Sequence, residues 1–466
     1  MNSEIMGKLE KIVGRDDVLV SRLSLEMYAY DSSPFIHLPE AVVFPKSTAE
    51  VSEIMKLANK HNFKVVPRGA GTCLSGGAVP IYGGIVMALT KMDKILDIDI
   101  VNETALVESG VINLRLQQAL DPLGYMFAPD PASQKVATIG GNVAECAGGI
   151  KGVKFGVTKE HVLGMEVVLP TGEVVMLGKL AGSSLSPNLM GIFNGSEGTL
   201  GIITRVLVKL TKKPEDVRTM MAVFASLDKA GETVSTIISR GIVPTTLEIM
   251  DQTLVKAVDD FLNLGLPRNA EALLLIEVDG HEIEVDSQIE TIVEICLEMG
   301  AAGYKKAENS EERESLWLAR RSGNGALGRI KPAYMVQDIT VPRSKLPEMF
   351  RLINSIGKKY SITIAQMAHA GDGNLHPHLL YDPADQEEYH RVELASEEIF
   401  KAALDLEGCL TGEHGIGMEK LKYMSLAFSE DDLAFKSKVK KILDPNMILN
   451  PGKVLNFGPD TLKGDA

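Results

Sequence analysis

The sequence predicts an α+β protein of two or three domains, and three observations lead there. The chain has 466 residues, more than one hydrophobic core normally organises. Short strand-like runs alternate with amphipathic helical stretches. A long glycine-rich region, about 66 to 201, gives way at TKKPEDV, 211–217, to a region of different composition. A domain boundary is expected there.

Residues 49–61, AEVSEIMKLANKH, put Val51, Ile54, Met55 and Ala58 on one helical stripe, and FKVVP follows as a short buried strand. Further strands are expected at GGIVMAL, TALVESG and HVLGMEVVLP, the last turning at Thr171 and Gly172 into EVVML as a hairpin. Between them lie RGAGTCLSGG, ATIGGNVAECAGG, KFGV and NGSEGTLG, which have too many glycines for ordinary connections and read as loops pressed against a ligand. Beyond the boundary, MMAVFASL and ALLLIEVDG are strands among amphipathic helices. The tail KILDPNMILNPGKVL is too apolar for a free terminus and is expected to pack back on the body.

Composition narrows the function. Hydrophobic residues make up 45% and charged residues 24%, and no apolar run is long enough to span a bilayer. The first residues, MNSEIMGKLEKIVGRDD, mix charges of both signs into the apolar ones, unlike a secretory signal, so a cytoplasmic location is expected. A net charge of -14 argues against nucleic acid as the main partner. The four cysteines, Cys73, Cys146, Cys296 and Cys409, form no CxxC, which excludes the usual iron-sulfur and zinc-ribbon spacings. Redox chemistry would need another carrier.

In PRGAGTCLSGG, glycines let the backbone aim N–H groups inward and Thr72 and Ser75 add hydroxyls, which suits a pyrophosphate. The spacing is not GxGxxG, so a nicotinamide Rossmann site is unsupported. PDPASQKVATIGGN and IFNGSEGTLGIITRVLVKL follow in order, and three such loops imply a large, extended ligand.

These residues resemble the FAD-linked oxidase family with the vanillyl-alcohol oxidase (PCMH) type of flavin domain, in its D-lactate dehydrogenase and glycolate oxidase branch, over nearly the whole chain. The resemblance implies an FAD-binding domain at 1–212, a substrate-binding cap domain with a metal site at 213–420, and a segment at 421–466 returning to the FAD domain. It implies FAD contacts at Arg68, Gly69, Ala70, Gly71, Thr72, Ser75 and Gly76 in the first loop. In the second it implies Pro131, Ser133, Thr138, Gly140, Gly141, Asn142 and Gly148, and in the third Glu197, Gly201 and Ile202. Members that attach FAD covalently often carry a His in the first loop. Here only Thr72 and Cys73 stand there, so the FAD is expected to be non-covalent and Cys73 to be a small side chain beside it.

AQMAHAGDGNLHPHLLYD sets His369 and His376 on either side of a GDGN turn, so that strand, turn and strand bring the imidazoles together. LTGEHGIGMEK adds Glu413 and His414. Two His and a carboxylate are a familiar divalent-metal set, with no soft ligand to choose among zinc, manganese and ferrous iron. By resemblance to metal-dependent D-2-hydroxy acid dehydrogenases, His369, His376 and Glu413 bind one divalent metal and His414 is the base. As neighbours in sequence, Glu413 and His414 are expected to point apart, one to the metal and one to the substrate. His378 reads as a neighbour or a plain strand residue, and Asn374 as either a substrate contact or a turn residue.

ESLWLARRSGNG presents Arg320 and Arg321, either of which can hold a carboxylate through two hydrogen bonds, and the resemblance favours Arg320. Relatives acting on larger diacids carry a further cation near a strand that here reads YMVQDITVP and has no lysine, which favours a small monocarboxylate. The function implied is oxidation of D-lactate to pyruvate by hydride transfer to FAD. Electrons would pass to an electron-transferring flavoprotein, as also in electron-bifurcating complexes that use NAD. The alternatives are the catalytic subunit of a glycolate oxidase, a non-catalytic FAD-binding scaffold subunit, and a metal hydrolase, which leaves the glycine-rich loops unexplained.

Overall fold

The computed structural model of the protein describes residues 1–178 and 187–455. Residues 456–466, the end of the segment expected to return, lie outside the described residues. The described residues divide into two compact units, the first made of 1–149, 157–178, 187–213 and 413–455 and the second of 150–156 and 214–412. The return to the first unit therefore falls at Glu413, ahead of the expected 421, and a short piece of the first glycine-rich region, 150–156, belongs to the second unit. Neither departure is marked by a change of composition.

The first unit holds a four-stranded sheet in the order Val18–Leu19, Ala41–Val43, Ile85–Ala88, Val65–Arg68. The last three strands run parallel. The helix Thr48–His61 supplies the crossover between two of them, which parallel strands require. Ser47 caps its start by accepting from the Glu50 amide, Asn62 ends it in the left-handed region at φ 52, and the expected stripe of Val51, Ile54, Met55 and Ala58 is buried. An antiparallel sheet follows in the order Ile95–Asp99, Thr104–Glu108, Ile202–Lys209, Val162–Val168, Val174–Gly178. Its last pair is the hairpin read from the sequence, with Val168 opposite Val174.

In the second unit one antiparallel sheet runs in the order Ala301–Lys306, Asp216–Phe224, Ala272–Gly280, Thr246–Asp251, Ile364–His369, Asn374–Tyr381, Ala333–Val336. Ile339–Thr340 pairs with the start of Asn374–Tyr381. The strand Ala272–Gly280 is buried along nearly its whole length, as expected of a central strand with both faces covered. Leu254, Trp317, Leu327 and Met367 are among the residues that pack one of its cores.

The C-terminal segment is part of the first unit's core. Ile448 and Leu449 are fully buried with Leu9, Ile54, Met55 and Met87, and the Val65 amide donates to the Ile448 carbonyl at 2.8 Å. Ile448→Ala is expected to cost about 2–5 kcal/mol through lost burial and the cavity left behind. Urea unfolding of the whole chain reads it, and an unchanged midpoint would mean that the segment does not pack there.

Candidate active site

The first glycine-rich loop leaves the strand Val65–Arg68, and several of its carbonyls are taken by the protein. Cys73 O accepts from Ser32 N at 2.9 Å, Ser75 O from Met418 N at 2.8 Å, and Gly76 O from Val79 N at 3.2 Å. Asn450 Nδ2 donates to Gly77 O at 2.9 Å. Among the described residues, none of the backbone amides of Ala70 through Gly76 donates a hydrogen bond. Successive amides without internal acceptors can serve an anion. Gly71, at φ 76, bends the run over the Arg68 guanidinium, which a Cβ at Gly71 would meet at 2.0 Å. Arg68 is buried, donates to Tyr30 O at 2.7 Å and lies over the Tyr28 ring, so it supports the loop from behind.

The second loop meets the first where a Cβ on Gly69 would lie 2.4 Å from Thr138 Oγ1. Pro131 and Ser133 hold its turns, their carbonyls accepting from Gln134, Val136 and Ala137. Thr138 caps the short helix Ile139–Glu145 by accepting from the Gly141 amide at 3.2 Å, and Gly140 lies against Ser109 too closely for a side chain. Asn142 is buried and its Nδ2 has no partner among the described residues, a costly donor to leave unmet. At the loop's far end a Cβ on Gly148 would lie 2.6 Å from Glu413 Oε2, so this glycine admits the Glu413 carboxylate.

The third loop does different work. Both oxygens of the buried Glu197 accept backbone amides, Ile416 N on Oε1 and Gly417 N on Oε2, each at 2.7 Å. Burial pushes its carboxyl up against the downward pull of those amides and of Lys420 and Lys453. A Cβ on Gly201 would strike Val167 and Phe193, and Ile202 is a core residue. Packing and the anchoring of residues 416–417 account for these three positions. Ser75 adds a second anchor, its hydroxyl donating to His414 O at 3.0 Å. The segment carrying Glu413 and His414 is thereby fastened to the first and third glycine-rich loops. The two side chains do not diverge as expected, His414 Nε2 lying 3.9 Å from Glu413 Oε1.

In the second unit the hairpin read from HAGDGN is present, with His369 opposite Asn374 and His376 opposite Met367. His369 and His376 are thus diagonal neighbours, ring centres 5.1 Å apart. The fully buried Glu248 connects His369 to Arg320. Its Oε1 lies 2.7 Å from His369 Nδ1, and its Oε2 accepts from Arg320 Nε at 2.8 Å and Nη2 at 2.6 Å. A carboxylate on Nδ1 fixes the ring and is a common outer partner of metal-binding histidines. Asp338 Oδ1 lies 4.0 Å from His376 Nδ1 and accepts from Asn374 Nδ2 at 2.7 Å, and Asp338 Oδ2 accepts from Thr411 Oγ1 at 2.5 Å and Gly412 N at 3.0 Å. Glu413 follows Gly412 by one peptide bond. Asn374 is therefore committed through its amide nitrogen to the turn and to the strand Ile339–Thr340, and His378, with Nδ1 2.7 Å from His376 O and Nε2 3.0 Å from Asn324 Oδ1, is a strand residue.

The two arginines separate. Arg321 pairs with Glu314 in solvent, both more than half exposed, whereas Arg320 is buried and its Nη1 carries no hydrogen bond among the described residues. Sequence reasoning missed Glu248, Asp338, Asn450 and Lys453. Glu248 was visible as a lone charge inside the strand Thr246–Asp251, and Asp338 stands in the very stretch searched for a lysine.

Residues 213–454 match the family described as FAD linked oxidases, C-terminal domain, and residues 39–178 match the family described as FAD binding domain. The chain belongs to the FAD-linked oxidase family. Glycolate oxidase subunit GlcD of Bacillus subtilis (strain 168) is 41% identical to this FAD-linked oxidase over 465 residues, 99% of this chain and 98% of that one. A D-lactate dehydrogenase of Anaerostipes hadrus is 36% identical over 429 residues, 89% of each chain. The solved structure of 4-ethylphenol oxidase from Gulosibacter chungangensis shares the fold, with a TM-score of 0.80 at 21% identity over 99% of both chains. The vanillyl-alcohol oxidase type of fold expected from the sequence is the one observed.

The residues present fit the cofactor of the family. A pyrophosphate matches the amide run of 70–76, and the lone Asn142 Nδ2 offers a further donor. The residues Glu197 anchors give a direct test. Glu197→Ala should raise amide hydrogen exchange at Ile416 and Gly417 by about tenfold or more, since each loses its acceptor. Unchanged exchange there would show that the segment is held by other contacts.

Proposed function

We propose that this FAD-linked oxidase is a metal-dependent dehydrogenase of small D-2-hydroxy acids, with D-lactate, giving pyruvate, in first place. The observation that carries the reading is the fastening of the His414 segment to the flavin loops by Ser75 and Glu197, which ties a proton acceptor to the cofactor's own cradle. A cradle serving only to scaffold an assembly has no need of that tie.

When bound, FAD supplies an oxidised ring that accepts hydride, and a divalent metal supplies Lewis acidity toward a hydroxyl and a carboxylate. His369 and His376 offer imidazole nitrogens to the metal and Glu413 a carboxylate, with zinc, manganese and ferrous iron all compatible with that set. Glu248 fixes the His369 ring and its tautomer. His414 takes the substrate's hydroxyl proton. Arg320, steadied by Glu248 along one edge, presents its other edge to the substrate carboxylate in a two-pronged bond. The FAD is held without a covalent bond, since Thr72 and Cys73 occupy the first loop and burial pushes the Cys73 thiol well above its ordinary range, which leaves it inert.

Among the described residues no helix is long and apolar enough to cross a membrane. We assign electron removal to a separate electron-transferring flavoprotein, with NAD as the acceptor in a bifurcating assembly, and a cytoplasmic location. Glycolate is the second reading, favoured by the relative that is 41% identical.

Anaerobic, metal-replete protein mixed separately with D-lactate, L-lactate and glycolate decides among these through bleaching of the flavin band near roughly 450 nm, a property of the cofactor itself. D-lactate is expected to bleach it fastest, and His414→Ala to slow bleaching by about 100-fold or more while leaving the flavin bound. Faster bleaching by glycolate would move the assignment to the second reading. A yellow protein that none of the three bleaches would defeat the small-acid assignment.

A further inference from the structure

Three side chains near the C-terminus, all buried, reach into the flavin loops and end on backbone carbonyls. Lys440 Nζ donates to Thr199 O at 2.6 Å. Asn450 Nδ2 donates to Gly77 O and to Glu197 O, both at 2.9 Å. Lys453 Nζ donates to Gly76 O at 2.8 Å, Gly77 O at 3.4 Å and Val79 O at 2.5 Å. Lys440 also has a carboxylate, Asp444, beside its ammonium. Lys453 has none within ion-pair distance among the described residues, although it is only 2% exposed.

Burying an ammonium without a direct counter-ion is costly, and such a group usually finds a partner or loses its proton. Lys453 spends its three donors on carbonyls of the loop whose opposite face carries the unpaired amides. A peptide group whose carbonyl is captured has its orientation fixed. The positive charge also stands behind a concavity built for an anion.

We propose that Asn450 and Lys453 are positioning residues for the dinucleotide: they hold the carbonyl face of residues 76–79 so that the amide face of 70–76 stays turned to the pyrophosphate, and the Lys453 charge strengthens its binding. This rests on the reading that the first unit binds FAD through that loop. It predicts that the C-terminal segment controls cofactor affinity separately from overall stability.

Several titratable groups face Lys453, namely Asp31 from the segment before the second strand, Cys73 from the loop, Glu145 at the end of its short helix and Glu197 from the third loop. Burial lowers the Lys453 ammonium to about 8 against the upward pull of these four. Burial pushes the Glu145 carboxyl well above its usual range. A lysine whose folded value lies near 8 is charged below that pH and loses its attraction for phosphate above it.

The test is FAD binding to the full-length apo-protein, followed by flavin fluorescence between pH 7 and 9. Wild type is expected to bind several-fold more weakly at pH 9. Lys453→Met is expected to bind about 10- to 100-fold more weakly at pH 7, the range for losing a hydrogen-bonded charge, and to show no pH trend. Glu145→Gln, which keeps the shape and removes that titration, is expected to keep the wild-type trend, and it serves as the second variant if Lys453→Met does not fold. Undiminished affinity in folded Lys453→Met, or a pH trend lost in Glu145→Gln, would overturn the proposal. Wild-type protein that takes up no FAD at any pH would instead overturn the parent reading.

Discussion

The first glycine-rich loop gives several of its carbonyls to donors from far along the chain. The Ser32 amide takes that of Cys73, the Met418 amide that of Ser75, and Lys453 and Asn450 those of Gly76 and Gly77. The result is a stretch of backbone from Ala70 to Gly76 whose amides are left without internal partners. Unpaired amides are a liability in a folded protein and an asset where an anion will sit, because their orientation is already fixed when it arrives. The glycines are then explained by neighbours as much as by conformation. Gly71 must pass over Arg68, and Gly69 must pass beside Thr138.

The same loop also fastens the segment that carries Glu413 and His414. Ser75 both gives its hydroxyl to the His414 carbonyl and accepts the Met418 amide on its own carbonyl, so one residue of the cradle holds both sides of the GIG turn. Glu197 holds the middle of that turn through two amides. In the second unit the polar groups form two chains, Arg320–Glu248–His369 and Asn374–Asp338–Gly412, each with a buried carboxylate at its centre. Buried carboxylates are tolerated when every oxygen has a partner, and both oxygens of Glu248 and Asp338 do. Each chain fixes the orientation of groups whose geometry matters for ligand binding.

Much of this was legible in the sequence, and the misses have physical reasons. The stripe of Val51, Ile54, Met55 and Ala58 and the strand pair around GDGN were readable because period and turn chemistry are local. The glycine-rich loops stood out by composition, but the support and packing that Arg68, Glu197, Gly201 and Ile202 provide depend on side chains remote in sequence. Glu248 lies far from His369 along the chain and carries no motif. Lys453 reads as a solvated lysine in NPGK, and only the fold reveals that its ammonium is enclosed by carbonyls. Adjacency alone likewise did not show that the tips of Glu413 and His414 lie 3.9 Å apart.

The account stands on the amide face of residues 70–76, and hydrogen exchange at those amides with and without FAD measures it most directly. Without FAD they should exchange quickly, lacking internal acceptors, and addition of FAD should slow them by about tenfold or more as the pyrophosphate takes them up. Slow exchange before FAD is added, or no change on its addition, would contradict the claim that this loop is the anion-binding face of the protein.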